Sequence, residues 1–166
     1  HPFWVPGSHL RALQGSTDIS DPAVFPFNVW THVALTYDAA TTTMKLYKNG
    51  LVVASSTTAS TYSAGAISVG AYLGGNFLGG KMDEVRIWNV ARTQTQIQDN
   101  MTCDVPQNAN LKAYYRFNQG VADGNNTGIT SVIDYSGNGN CGTLVGFSLT
   151  GTTANFTSGM MGTCNT

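Results

Sequence analysis

Charge is scarce in this chain. Only 10% of its 166 residues are charged, against about 25% in an ordinary soluble domain. Eight lysines and arginines stand against nine acids, for a net charge of −1. Nucleic-acid binding draws on clustered basic residues that displace counterions, so that class is excluded. No apolar run approaches the ~20 residues of a membrane-spanning helix. Glutamate occurs once, as Glu84, and no Gly-x-Ser-x-Gly elbow is present, which removes the common signature of serine hydrolases. The cysteines, Cys103, Cys141 and Cys164, form no Cys-x-x-Cys pair and no zinc-spaced cluster with histidine. The opening His1 to Pro6 lacks the basic start and apolar stretch of a signal peptide. Without an initiator Met, the chain is expected to be a mature product, a fragment or an excised domain. Disorder is excluded too, because 42% of the residues are hydrophobic and the net charge is close to zero. What remains is an apolar core beneath a neutral polar surface, with 19 glycines for turns.

The patterning is that of strands. Residues 29–37 (Val-Trp-Thr-His-Val-Ala-Leu-Thr-Tyr) are β-branched and aromatic and predict a strand. Residues 43–48 predict a second and 51–56 a third, joined by Asn49-Gly50, the strongest short hairpin signal. Further strands are expected at 66–73, 81–89, 111–117, 131–134 and 142–148. Thr93 with Gln96 three residues later forms a capping box, so one short helix is expected over 93–101, with Ile97 and Met101 on one face. Trp30 and Trp88 fall inside strands and are expected in the core. Residues 1–28 hold four of the five prolines and are weakly patterned; they read as an unassigned segment or as a first strand of the same domain. Residues 29–149 form the principal β-sandwich, and 150–166 a last strand or linker. Many short strands at short spacing indicate an all-β, antiparallel sandwich.

Trp30-Thr-His-Val-Ala34, Leu46-Tyr-Lys-Asn-Gly50, Ile67-Ser-Val-Gly70 and, most specifically, Met82-Asp-Glu-Val-Arg-Ile-Trp-Asn-Val-Ala-Arg92 resemble the laminin G-like, concanavalin A-like lectin/glucanase jelly-roll family of secreted bacterial proteins. Leu111-Lys-Ala-Tyr-Tyr-Arg-Phe-Asn118, Asp134-Tyr-Ser-Gly-Asn-Gly-Asn140 and Gly142-Thr-Leu144 extend the resemblance to roughly residues 28–147. It implies a jelly-roll sandwich. Domains of this kind carry several strands ahead of the Trp-Thr-His-Val-Ala stretch, whereas 29 residues precede it here. Three accounts stand: a processed fragment, completion by residues 111–148 as in a circular permutation, or completion by a partner along open sheet edges.

Several constellations bear on chemistry. Glycoside hydrolysis uses two carboxyl groups flanking the scissile bond. Asp83 and Glu84 are adjacent, so a strand would send them to opposite faces, and no acid-x-acid spacing exists. His32 lies mid-strand within the family-like stretch and reads as a packed side chain. Gly137-x-Gly139-x-x-Gly142 matches the dinucleotide fingerprint in letters only, since a strand rather than a helix follows it. Asp134-x-Ser136-x-Asn138-Gly139 and Asp123-x-Asn125-x-Thr127-Gly128 place oxygen side chains at alternate positions before a glycine. That pattern suits calcium, and jelly-roll relatives often bind it; the same residues also make ordinary Asx-turns. Sugar binding would use exposed aromatics and amides, for which Tyr62, Tyr72, Asn76 and Phe77 are the candidates. One disulfide is expected, with Cys103–Cys141 the preferred pair and Cys164 able to replace either.

The expected function is a non-catalytic carbohydrate-binding or adhesion module of a secreted or cell-surface protein, with a glycan as partner and calcium as a candidate cofactor. The alternatives are a structural or protein-interaction sandwich and, more remotely, a jelly-roll glycoside hydrolase.

Overall fold

The computed structural model describes residues 9–14, 16–57, 66–71 and 77–159. The chain divides into two compact units, His1–Phe77 with Val90–Cys103, and Leu78–Asn89 with Asp104–Thr166.

In the first unit, the proline-bearing opening contains a hairpin. β1 (His9–Gln14) pairs antiparallel with β2 (Thr17–Val24). Leu10 and Ala12 point inward from β1, and Ile19 and Asp21 from β2. β3 (Val33–Asp38), β4 (Thr43–Lys48) and β5 (Leu51–Thr57) form an antiparallel sheet with β4 in the middle. Met44 and Leu46 of β4 are fully buried and form one core with Leu10, Ala12 and Ile19. Burying a side chain of this size stabilises by about 1.5–3 kcal/mol. Asp21 is buried but ion-paired with Lys48. Burial works against its carboxylate, yet Lys48 and the Ala23 N–H outweigh it and hold the group below the ordinary carboxylate range.

The Asn49-Gly50 turn is present, with φ of 49° and 76°. Gly50 is required twice over, since a Cβ there would also stand 2.7 Å from Cγ of Gln98. Asn49 does more than turn the chain: its Oδ1 accepts the His32 N–H at 3.0 Å, and its own N–H donates to the His32 carbonyl at 2.8 Å. Asn49→Ala should therefore lose about 1–2 kcal/mol, from one hydrogen bond and a left-handed backbone that alanine disfavours. Urea unfolding measures this; an unchanged midpoint would mean that Gly50 alone sets the turn.

Residues 29–32 are not part of β3. Asn28 carries φ of 59°, which turns the backbone away from an extended run, and His32 is bonded to the Asn49 turn. Trp30, expected in the core, is 39% exposed as a result. Nor do the described residues 66–71 lie in a strand. The helix α1 (Gln94–Asn100) starts as expected: Thr93 accepts the Gln96 N–H and Gln96 returns the bond to the Thr93 N–H. Ile97 is its buried residue.

In the second unit, β6 (Val85–Trp88) pairs antiparallel with β7 (Leu111–Tyr115), and β8 (Ser131–Val132) with β9 (Gly142–Thr143). These strands are shorter than the apolar patterns suggest, because Glu84 and Phe117 with positive φ stop β6 and β7 at one end. Val105, Leu111 and Tyr114 are the core, with Trp88 and Tyr135 packed on it.

Candidate functional site

Three polar constructions occupy the second unit. The first surrounds Asp134. Its Oδ1 accepts the N–H groups of Tyr114 and Ser136, both at 2.9 Å; its Oδ2 accepts the Ser136 hydroxyl and the Asn140 N–H, both at 2.8 Å. Burial alone would raise its pKa, but these donors overcome that and keep it below the ordinary range. Asn138 donates from Nδ2 to the Leu111 carbonyl at 2.7 Å and to the Ser136 hydroxyl at 2.9 Å. The structure thus brings Asp134, Ser136 and Asn138 together, but as a clasp that ties the 134–140 turn to β7. A carboxylate offers about four lone-pair positions, and N–H and O–H donors fill all of them. Positive hydrogens stand where a cation would sit, so this donor set does not fit calcium. Asp123 and Asn125 belong to a different loop. Asn125 Oδ1 accepts from the N–H and hydroxyl of Thr127 at 3.1 and 2.8 Å, as in an Asx-turn. The buried residue there is Asn126. It exchanges bonds with both backbone groups of Val121 at 2.8 Å, donates to Asn155 at 2.8 Å, and its N–H reaches the Leu149 carbonyl at 2.7 Å. Among the described residues, no three His, Cys, Asp or Glu side chains are grouped as a metal site would need.

The second construction holds the one glutamate. Tyr114 donates its hydroxyl to Glu84 Oε2, which also receives Arg86 Nη2 at 2.5 Å. Asp104 lies 3.2 Å from the same hydroxyl and pairs with Arg116. The Arg86 guanidinium covers the Tyr114 ring at 5.0 Å, and that of Arg116 covers Tyr135 at 5.3 Å, both within cation–π range. Burial, and after it the Glu84 carboxylate, pushes the Tyr114 hydroxyl up to about 12. It therefore remains a proton donor at any physiological pH. Tyr114 is 2% exposed, and Glu84 and Asp104 are each matched by a guanidinium. This network fastens β6 to β7; it does not present a free acid and a free base.

The third construction is a pocket of about 480 Å³, lined among the described residues by Arg116, Phe117, Asn118, Gly120, Ala122, Phe156, Thr157, Ser158 and Gly159. Two distant stretches build it. The first leaves β7 at Arg116 and turns at Phe117, where φ is 52°; such a backbone is an outlier for a bulky residue. Phe117 sits 6.3 Å from Tyr115, ring centre to ring centre. The second stretch is anchored by Asn155, whose Nδ2 donates to the carbonyls of Gly124 and Gly151, both at 2.8 Å. Buried Phe156 passes directly over Gly120, where a Cβ would stand 2.5 Å from the ring. Only glycine admits that approach. The size lies within the range of about 300–1,000 Å³ typical of small-ligand pockets. Two aromatic rings, an amide, a guanidinium and two hydroxyls belong to residues that line one cavity, and the Asp83 carboxylate stands against Gly159 at its wall.

The family model described as the concanavalin A-like lectin/glucanases superfamily matches residues 3–98. The chain belongs to that superfamily. Its all-β antiparallel fold is the one the superfamily shares. A crystal structure from Bacteroides ovatus, described as a "putative carbohydrate binding protein", is similar at 29% identity and a TM-score of 0.68, over 83% of this chain and 40% of that one. A Clostridium thermocellum S-layer domain-containing protein is similar at 25% identity with a TM-score of 0.37, over 54% of this chain and 49% of that one. The lectin/glucanase-type chain therefore spans less than half the length of either solved protein. No curated protein matches.

Of the sugar-binding candidates named from the sequence, Tyr62, Tyr72 and Asn76 lie outside the described residues; Phe77 is described and is 74% exposed. The Cys103–Cys141 bond does not form in this superfamily member. Cys103 is disulfide-bonded, whereas Cys141 is an exposed free thiol. Cys141 lies between Asn140, whose N–H donates to Asp134 and whose carbonyl accepts the Tyr115 hydroxyl at 2.6 Å, and Gly142 of β9. Lying next to a strand in sequence does not bring two sulfurs within bonding reach. Cys164 lies outside the described residues. The pocket residues and Asn126 belong to no binding motif that the sequence displays. The signals for them were faint: Phe117 ends an alternating run, and Asn155-Phe-Thr157 stands out in the sequence only as a glycosylation pattern.

Proposed function

We propose that this chain is a non-catalytic carbohydrate-binding module of a secreted or cell-surface protein. The observation that carries the reading is the pocket. Phe117 supplies an apolar ring for the carbon face of a sugar, while Asn118, Arg116, Thr157 and Ser158 supply donors and acceptors for its hydroxyls. Membership of the lectin/glucanase superfamily and likeness to the Bacteroides ovatus protein support it. The disulfide at Cys103 supports an oxidising compartment, where such bonds persist. The commitment of Glu84 and Asp104 to arginines supports the absence of hydrolysis, which needs one carboxyl group free to protonate and another free to attack or activate water.

A glycan and polysaccharide array probed with the purified chain tests this. Selective binding is expected, with at least a tenfold loss in Asn118→Ala at unchanged melting temperature; tenfold corresponds to about 1.4 kcal/mol, near the worth of one hydrogen bond. A folded chain that binds nothing on the array would sink the reading and favour a structural sandwich. Release of reducing ends from any bound polymer would restore the enzyme.

A further inference from the structure

We propose that Asn125 is the residue this fold offers for an N-linked glycan, and that the two other acceptor patterns in the chain are closed by folding. The inference goes beyond the carbohydrate reading and does not depend on what the pocket binds. It draws on the secreted or cell-surface reading above, since N-linked glycans sit on surface loops of secreted proteins.

Three Asn-x-Thr patterns stand in the sequence: Asn100-Met-Thr102, Asn125-Asn-Thr127 and Asn155-Phe-Thr157. The reacting atom in each is the amide nitrogen, so the hydrogen bonds at Nδ2 decide between them. Asn100 is the last residue of α1, and its Nδ2 donates to the Gln96 carbonyl at 2.7 Å. Asn155 is tied at both polar atoms of its side chain. Its Nδ2 donates to the carbonyls of Gly124 and Gly151, and its Oδ1 accepts from the Phe156 N–H and from Asn126 Nδ2, all at 2.8 Å. Freeing that nitrogen would loosen the stretch that carries buried Phe156.

Asn125 is built the other way round. Its Oδ1 accepts both the N–H and the hydroxyl of Thr127, and this fixes which atom is the oxygen, because a backbone N–H can only donate. Among the described residues its Nδ2 takes no hydrogen bond, and both Asn125 and Thr127 are exposed. The flanking residues hold it in that attitude: Asn126 is buried with its N–H on the Leu149 carbonyl, and the Gly124 carbonyl is taken by Asn155. The chemistry of transfer suits this arrangement. Nδ2 gives one proton to a carboxylate base of the transferase and bonds to the anomeric carbon of a lipid pyrophosphate-linked oligosaccharide. The bond from that carbon to the pyrophosphate oxygen breaks, and the lipid pyrophosphate leaves with the electron pair. As the nitrogen loses its proton, negative charge moves onto Oδ1, where the two Thr127 donors stabilise it.

The test treats the purified, folded chain with an oligosaccharyltransferase and its lipid pyrophosphate-linked oligosaccharide, and reads occupancy at each asparagine by peptide mass spectrometry. Occupancy at Asn125 is expected to exceed that at Asn100 and at Asn155 by about tenfold or more, the equivalent of one hydrogen bond that must first break at either of the others. Synthetic peptides carrying the three patterns should differ much less, because the bonds that close Asn100 and Asn155 belong to the fold. Asn125→Asp keeps the acceptor oxygen of the turn but has no amide nitrogen; it should leave that position unmodified at an unchanged melting temperature. Equal or higher occupancy at Asn100 or Asn155 in the folded chain overturns the proposal, as does a folded chain that is not modified at all. The same tenfold ranking in the peptides also overturns it, since sequence rather than folding would then choose the site. Saccharide binding on the array is a separate readout, so either proposal fails without the other.

Discussion

Replacing Asp134 with alanine should cost on the order of 3 kcal/mol, and should do so equally in calcium and in chelator. Four donors lose one buried charged acceptor at once. Hydrogen bonds to ionised groups contribute roughly 1.5–3 kcal/mol each, and buried donors left unmatched carry their desolvation penalty. The Tyr114 N–H is the most exposed to this loss, because its neighbourhood is the core of the second unit and no water replaces the carboxylate. For a chain of this length the melting temperature should fall by roughly 6–12 °C. The pH dependence has a definite sign. The folded pKa of Asp134 is depressed, and the unfolded value is about 3.9. Its stabilisation is therefore complete above the unfolded value and disappears as pH falls through the folded one. Wild type should lose stability in that acid window, and Asp134→Ala should lose less there. Thermal melts between pH 2 and pH 7, with and without calcium, measure both effects. A calcium-dependent difference between wild type and variant would restore the ion and undo the clasp.

Glu84→Ala is the second large effect, at about 2–3 kcal/mol. Arg86 has a side chain only 10% exposed and is ion-paired with Glu84. Removing the carboxylate takes a close ion-pair partner from a poorly hydrated cation, and breaking a pair costs more the more deeply it is buried. Glu84 itself is 25% exposed, so solvent screening keeps the loss below the 3–5 kcal/mol of a fully buried pair. Glu84→Gln keeps an acceptor for Tyr114 and Arg86 while removing charge, and should lose about half as much. Both variants should bind saccharide as wild type does at temperatures below their melts. Lost binding in a folded Glu84→Gln would place the network within the binding machinery.

The local parts of this structure were legible because their physics is local. Asn49-Gly50 needs two residues that accept positive φ, and the Thr93/Gln96 box needs two side chains three positions apart; both stand in the sequence as they stand in the fold. The first hairpin was hidden because its inward face mixes Leu10 and Ala12 with Asp21, and Asp21 makes sense only beside Lys48, far along the chain. Trp30 misled because a strand pattern does not reveal that His32 is already bonded to a turn. The Asp134 motif has the spacing that calcium uses, but spacing says nothing about whether oxygens are free. Here Tyr114, Ser136 and Asn140 had taken them. The pocket was illegible for the opposite reason: residues 116–122 and 156–159 share no motif, and it is the folded chain that brings Phe156 over Gly120.

Asn126 ties the 121–128 loop to Leu149 and Asn155 through a single side chain and its own backbone N–H. The wall formed by 116–122 is thus held in shape by a stretch that is synthesised some thirty residues later. A cut in the exposed turn at 150–154 would leave every strand intact, yet remove the brace from the loop. Limited proteolysis that nicks this turn should leave the circular dichroism of the sheets nearly unchanged while the saccharide binding proposed above is lost.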